Sequence, residues 1–266
     1  MYTRTFSTLG CAEFSLEEMI ALGQRHAISA FELRALGGTI DLPAYFSATF
    51  GSPEVLAKKV SSAGARIAAL DTSFRVFDGS EADRRSLLEF LPWAEALGVG
   101  WLRAFDGGKE ITPATLAQAA DTLTWWQSVR HERAIKADLM IETHDLLLDS
   151  DKILRFIAAM PAGSVHVLWD AHHTWKRGGE DLLKTWAAIG THVVHIHVKD
   201  SVSVPSEKHP FTYVLPGTGE FPMSGLRNVL TTNFSGAVSL EWEKLWHPYL
   251  PPVDEALTSA AERRWW

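Results

Sequence analysis

Glu142, Asp170, His197 and Glu241 each close a short apolar run and open a polar loop, in MIETH, VLWDAHH, HIHVKD and SLEWE. The first three follow one another at intervals of 28 and 27 residues, and the fourth comes after a longer connection. The shorter spacing suits one strand-plus-helix unit, which puts these groups on neighbouring strand ends. Three carboxylates and one imidazole around a point form a cage for one divalent cation. Without a cation the clustered negative charges would repel, and some would stay protonated. Oxygen-rich ligation with one imidazole suits Mn²⁺ first, with Mg²⁺, Co²⁺ or Zn²⁺ as alternatives.

Other polar residues crowd the same strand ends. His144 and Asp145 follow Glu142, and His144 is read as a substrate contact. His172 and His173 follow Asp170, and His173 can hydrogen-bond substrate and titrate near neutral pH. His195 and His197 are two apart on a strand, so both face one side. The deeper His195 reads as a core histidine satisfied by a backbone carbonyl. Lys199 continues that face, either holding a substrate oxygen or pairing with a carboxylate. Glu243 shares the parity of Glu241 and reads as its support. Glu32, Arg34 and Arg103 end earlier strands and are read as orienting substrate. The GTGEF segment, Gly217–Phe221, is a tight turn and lacks the spacing of a phosphate loop. Neither H-E-x-x-H nor G-x-S-x-G is present.

The elements that must position these groups alternate from end to end. Strands are expected near Tyr2–Thr8, Ala30–Leu33 and Arg66–Thr72, then in GVGWLRAF, Asp138–Glu142, Val165–Asp170, Val193–Val198 and Ala237–Glu241. Helices begin at the capping box of Ser15-Leu16-Glu17-Glu18, at Ser52-Pro53 and at Thr112-Pro113. Others are expected over Glu81–Leu97, Asp151–Met160, Asp181–Ile189, Ser224–Thr231 and Val253–Trp265. Eight short strands, each followed by a helix and with no linker, imply an α/β fold: one (β/α)₈ TIM barrel over residues 1–266. The long irregular stretch Ser201–Pro222 would lie on the face that carries active sites in that fold.

Bulk properties agree. The 266 residues, 46% of them hydrophobic, suffice for one such barrel. A net charge of −7 gives nucleic acid no electrostatic welcome. No apolar run is long enough to span a bilayer, and no signal peptide is read at the start. The single Cys11 excludes an internal disulfide and fits a reducing, cytoplasmic setting, and reads as a small buried thiol. The 11 Trp should be mostly core, while Trp246, Trp265 and Trp266 would fit a homo-oligomer contact.

The ordered set FELR (31–34), LGVGWLRAF (97–105), IETHD (141–145), WDAHH (169–173), HIHVKD (195–200), PGTGEF (216–221) and SLEWEK (239–244) resembles the xylose isomerase-like barrels. The resemblance is to their sugar phosphate isomerase/epimerase group. It spans nearly the whole chain. It implies one divalent metal on Glu142, Asp170, His197 and Glu241, two glutamates that also move protons, and substrate binding by His173. The implied activity is isomerisation or epimerisation of a small carbohydrate-like substrate by proton transfer α to a carbonyl. The chain departs from the ketose epimerases after the ligand histidine. A Glu and then an Arg are expected there, and Val198-Lys199-Asp200-Ser201 stands instead. The resemblance therefore leaves open a dehydratase (lyase) acting on a keto-polyol or ketocyclitol. A non-catalytic sugar-binding barrel is a further alternative. The endonuclease branch ranks low, because it needs three zinc ions and a basic face.

Overall fold

The computed structural model describes residues 1–266. Its centre is a closed ring of parallel strands: β1 (Thr3–Ser7), β2 (Ala30–Leu33), β3 (Arg66–Arg75), β4 (Trp101–Phe105), β5 (Asp138–Glu142), β6 (Val167–Asp170), β7 (Val193–Val198) and β10 (Ala237–Leu240). The strands β8 (Asp200–Val202) and β9 (Thr212–Val214) form a small antiparallel hairpin outside the ring. The eight expected barrel strands are all present, in a (β/α)₈ TIM barrel.

Local chemistry sets the helices around this ring. Ser15 and Glu18 form the expected capping box for α1 (Leu16–Arg25). The helix α2 (Leu42–Phe50) was not expected, although its signals are ordinary: Asp41 caps it and Pro43 lies in its first turn. Pro53 opens α3 (Pro53–Ser62). The single helix expected over Glu81–Leu97 is two, α4 (Glu81–Glu89) and α5 (Leu91–Leu97), joined at Phe90. Pro92 explains the break, because its nitrogen has no hydrogen to donate to the preceding turn. The long α6 (Pro113–Arg133), α7 (Ser150–Ala159), α8 (Leu182–Ile189), α9 (Met223–Asn233) and α10 (Val253–Glu262) complete the outer layer.

The main apolar core lies between the outer face of the ring and these helices. Inside the ring the apolar filling is small, with Ala69, Met140 and Leu168 packed together. Polar and charged groups fill much of the rest: Thr5, Ser7, Glu32, Asp71, Arg103, His195, His197 and Ser239 are all essentially buried. Barrel interiors are ordinarily packed with branched aliphatic residues, so this polarity needs a use. Cys11 is buried, as expected. Trp265 and Trp266 are buried too, against expectation: they retain only 7% and 8% exposure, and Trp265 packs on Phe221. Of the three tryptophans assigned to a subunit contact, only Trp246 is exposed, at 40%. No helix is long and apolar enough to cross a membrane.

Glu180 fastens two of the loops that carry candidate site residues. Its carboxylate accepts from the Ser150 N–H (2.9 Å) and hydroxyl (2.7 Å) at the start of α7, and from Thr185 Oγ1 (2.7 Å) and Lys184 Nζ (2.8 Å) in α8. Burial opposes its charge, but these donors outweigh burial and hold its pKa down at about 2. A depressed carboxylate pKa stabilises the fold above the unfolded value, roughly 4.3. That contribution is lost as the pH falls toward 2. Glu180→Ala should therefore cost about 2–3 kcal/mol at pH 7. In urea unfolding, the gap from the parent protein should shrink below pH 4.

Candidate metal centre

Each expected ligand reaches the centre because strand parity turns it inward. Asp170 pairs in register with His197, and His197 with Ser239, two residues before Glu241. The ligand atoms of Glu142, Asp170, His197 and Glu241 all lie within 4.8 Å of one another, and all four residues are buried. His197 Nδ1 is 3.4 Å from Glu241 Oε2 and 3.7 Å from Glu142 Oε1, and it has no hydrogen-bond partner. An unpartnered imidazole nitrogen among three carboxylates is the donor set that a divalent cation fills.

The group beneath His197 decides which nitrogen is offered. His197 Nε2 lies 3.0 Å from the Glu32 carboxylate, as its hydrogen-bond donor. That leaves Nδ1 for the cage, in the carboxylate–histidine–metal arrangement that orients metal ligands. Glu32 was expected to touch substrate, and the structure corrects this. The residue is fully buried, absent from the cavity wall, and shared between His197 and His195, whose Nε2 is 2.5 Å away. His195 is thus partnered by a carboxylate, not by the backbone carbonyl expected. Burial opposes ionisation of Glu32, but the two imidazoles overcome it and keep its pKa well below the ordinary range.

Lys199 resolves the alternative left open for it. Its buried ammonium is 2.8 Å from Asp170 Oδ2, 2.6 Å from Glu243 Oε1, and in contact with Glu241 Oε2. It is an ion-pair partner, and it does not line the cavity. Burial works against its charge, but the surrounding carboxylates hold its pKa well above the usual lysine value. On Glu142 and Glu241, burial favours protonation, and the nearby cations prevail. Arg103 ionises Glu142 through a 3.0 Å bond from Nη1. Lys199 does the same for Glu241, joined by the His197 ring while it carries the proton that the surrounding carboxylates favour against burial and that a bound cation would replace. Asp170 goes the other way: burial lifts it to about 6, with Lys199 only partly opposing. One of the three clustered carboxylates is therefore hard to ionise, chiefly because it is buried and secondarily because Glu241 and Glu142 repel its charge.

A cavity of 220 Å³ opens above the cage, lined by Leu9, Arg34, Arg103, Phe105, Glu142, His144, His173, Glu241, Glu243 and Trp246. His173 Nδ1 lies 3.1 Å from the Thr143 carbonyl oxygen, which can only accept. The proton therefore resides on Nδ1 and Nε2 carries a lone pair. Burial keeps the ring neutral, its pKa well below the usual value. His173 is thus fitted to accept from a substrate hydroxyl, and its ring stays neutral where titration near neutral pH was expected. His144 packs edge-on against both Phe105 and His173, with ring centroids 4.6 and 5.0 Å apart.

Two supporting acids escaped the reading of the sequence. Asp106, in the ordinary-looking turn AFDGG, accepts backbone N–H groups from Asp145, Leu146 and Leu147 at 2.7–2.8 Å, which fixes the loop bearing His144. Asp71, on β3, is fully buried and both its oxygens lack hydrogen bonds, its ion-pair contact being Arg103 Nη2 at 4.0 Å. Burial first, and Glu32 second, push its pKa well above the usual carboxylate value. The GTGEF turn contacts no ligand-facing space. The N–H groups of Gly217, Gly219 and Phe221 all go to Asp200, at 2.8–3.0 Å. A side chain at Gly219 would collide with that same carboxylate.

Comparison with known proteins agrees with this fold. A family model described as "Xylose isomerase-like TIM barrel" matches residues 20–266, and the chain belongs to that family. A comparison with curated proteins found no match. Among solved structures the chain is similar to AsbF of Bacillus anthracis, described as the probable 3-DHS dehydratase of petrobactin synthesis (TM-score 0.80, 13% identity, 99% of this chain and 98% of that one). It is also similar to the IolI protein with a bound zinc atom (TM-score 0.75, 18% identity, 98% and 96% covered). A third is a xylose isomerase domain protein from Alicyclobacillus acidocaldarius (TM-score 0.73, 19% identity, 99% and 96% covered). At these identities the likeness is one of fold.

Two outcomes test the local roles. Glu32→Gln should weaken Mn²⁺ binding about 10–100-fold in calorimetric titration, although Glu32 is outside the cage. Asp106→Ala should speed backbone hydrogen exchange at residues 144–147 and leave exchange in the distant β1 unchanged.

Proposed function

We propose that this member of the xylose isomerase-like TIM barrel family is a divalent-metal-dependent isomerase or epimerase of a small carbohydrate-like substrate. The reaction would be proton transfer α to a carbonyl. A cation held by Glu142, Asp170, His197 and Glu241 would supply Lewis-acid polarisation of the carbonyl; Mn²⁺ suits the donors best. One observation carries the reading: two ionised glutamates flank the unpartnered His197 Nδ1 and line the cavity that opens above it.

Glu142 and Glu241 are held in the anionic form that accepts a proton, by Arg103 and Lys199 respectively. One removes the α proton and the other returns it. His173 holds a substrate hydroxyl through Nε2, and Arg103, which also lines the cavity, steadies a neighbouring oxygen. Leu9, Phe105 and Trp246 wall the site with apolar surface, which limits water around the reacting carbon. Arg103 also stacks its guanidinium 3.8 Å over the Phe105 ring, so both sides of that wall are fixed.

A second reading has its own observation. His144 faces the same cavity as the two glutamates and can give a proton to a departing hydroxyl. Loss of water β to the carbonyl would make the protein a dehydratase. The likeness to AsbF leans the same way.

In deuterium oxide, an aldose or ketose turned over by the Mn²⁺-loaded protein should gain deuterium at the α carbon. Turnover without exchange would show a hydride shift and contradict the proposal, and a rising enone absorbance would select the dehydratase. Glu142→Gln should lower the rate by about 10²–10⁴-fold and leave the far-ultraviolet circular dichroism unchanged.

A further inference from the structure

The strand ends divide the cavity into two unlike halves. The neighbouring strands β5, β6, β7 and β10 hold the proposed cation ligands. The other half of the ring, β1 to β4, contributes Arg34, just past β2, and Arg103 in β4. In the order of the ring β2 is opposite β6, so Arg34 faces His173 across the mouth.

The charges on the cavity wall are paired, with one exception. Arg103 is matched by Glu142, Glu241 and Glu243 by Lys199, and His144 by Asp145. Arg34 has no ion-pair partner. Its Nη2 donates to the Ser73 hydroxyl at 3.0 Å, its Nη1 has no hydrogen-bond partner at all, and the residue is only 6% exposed. Asp71, the acid on the adjoining strand, makes its ion-pair contact with Arg103 instead. Burial, with repulsion from Arg103 second, lowers the Arg34 pKa to about 10. A buried guanidinium without a counter-charge is costly. The fold leaves this one on the wall of a ligand-sized space.

We propose that Arg34 is the anion subsite of this cavity, and that the substrate is a monosaccharide-sized sugar acid with its carboxylate on Arg34 and its carbonyl end at the cation half. The inference rests on the function proposed above and adds the class of substrate. Two features favour carboxylate over phosphate. The cavity, at 220 Å³, falls below the range of drug-sized pockets. A single unpaired guanidinium matches a planar monoanion, whereas a phosphate dianion calls for more donors.

D-Glucuronate, D-glucose and D-glucose 6-phosphate share one carbon chain and differ only at its far end. Their binding to the Mn²⁺-loaded full-length protein can be followed by calorimetry. Glucuronate should bind about tenfold or more tightly than glucose. Arg34→Met should bring that ratio close to one without changing the Mn²⁺ affinity, and Arg34→Lys should retain part of it. Equal affinities, a ratio that survives Arg34→Met, or no saturable glucuronate binding would overturn the assignment. A larger gain for glucose 6-phosphate, removed by Arg34→Met, would overturn the carboxylate in favour of phosphate. Mn²⁺ uptake and α-carbon exchange report separately on the underlying reaction. An Arg34-dependent preference without exchange would therefore uphold the subsite and fault only the chemistry.

Discussion

Three carboxylates are buried side by side at the mouth of this barrel, and the arrangement of the surrounding charges follows from that. Ionised groups in a poorly solvated space must be paired or neutralised. Glu142 has Arg103, Glu241 has Lys199 and His197, and Asp170 is the one whose ionisation suffers. Below them Glu32 balances His197 and His195. The interior of the ring is thus a stack of alternating charge. Removing one partner from such a stack typically costs about 3–5 kcal/mol, because the other charge is left buried and unpaired.

Lys199 gives the cage a second character. An ammonium on Asp170 and Glu241 neutralises the same oxygens that a divalent cation would use. The two cannot share those oxygens fully, so metal binding requires Lys199 to yield. Glu243 and the Tyr213 hydroxyl, bonded to each other at 2.9 Å, provide the adjoining polar wall. Around this centre carboxylates also do the work of loop architecture. Asp106 and Asp200 each gather several backbone donors from loops that have no strand or helix to satisfy them, as buried backbone groups require, and Glu180 ties the start of α7 to α8.

Much of this was legible in the chain itself. An acidic or imidazole residue at the end of each of four apolar runs marks strand ends, and alternation along a strand turns every second side chain inward. Those two rules locate Glu142, Asp170, His197 and Glu241 together. They do not reveal depth. Glu32 ends its strand as the others do, yet lies beneath His197, because barrel strands are staggered in register. Nor do they settle where a long flexible side chain will go, and Lys199 could have pointed at substrate or carboxylate with equal ease. Asp71 and Asp106 were missed for a different reason. One lies within a long strand and the other in a common turn, and neither has a neighbour of distinctive type. Trp265 and Trp266 read as exposed because they end the chain, but packing against Phe221 and its surroundings buries them.

The central claim is that the four strand ends meet at one divalent cation. Crystals grown with MnCl₂ and measured on both sides of the manganese absorption edge would test it directly. The account predicts one strong anomalous peak enclosed by Glu142, Asp170, His197 and Glu241, with Lys199 withdrawn from Asp170. A cage without a peak and with Lys199 still bridging its carboxylates, or a peak elsewhere such as the Asp106–His144–Asp145 cluster, would contradict it.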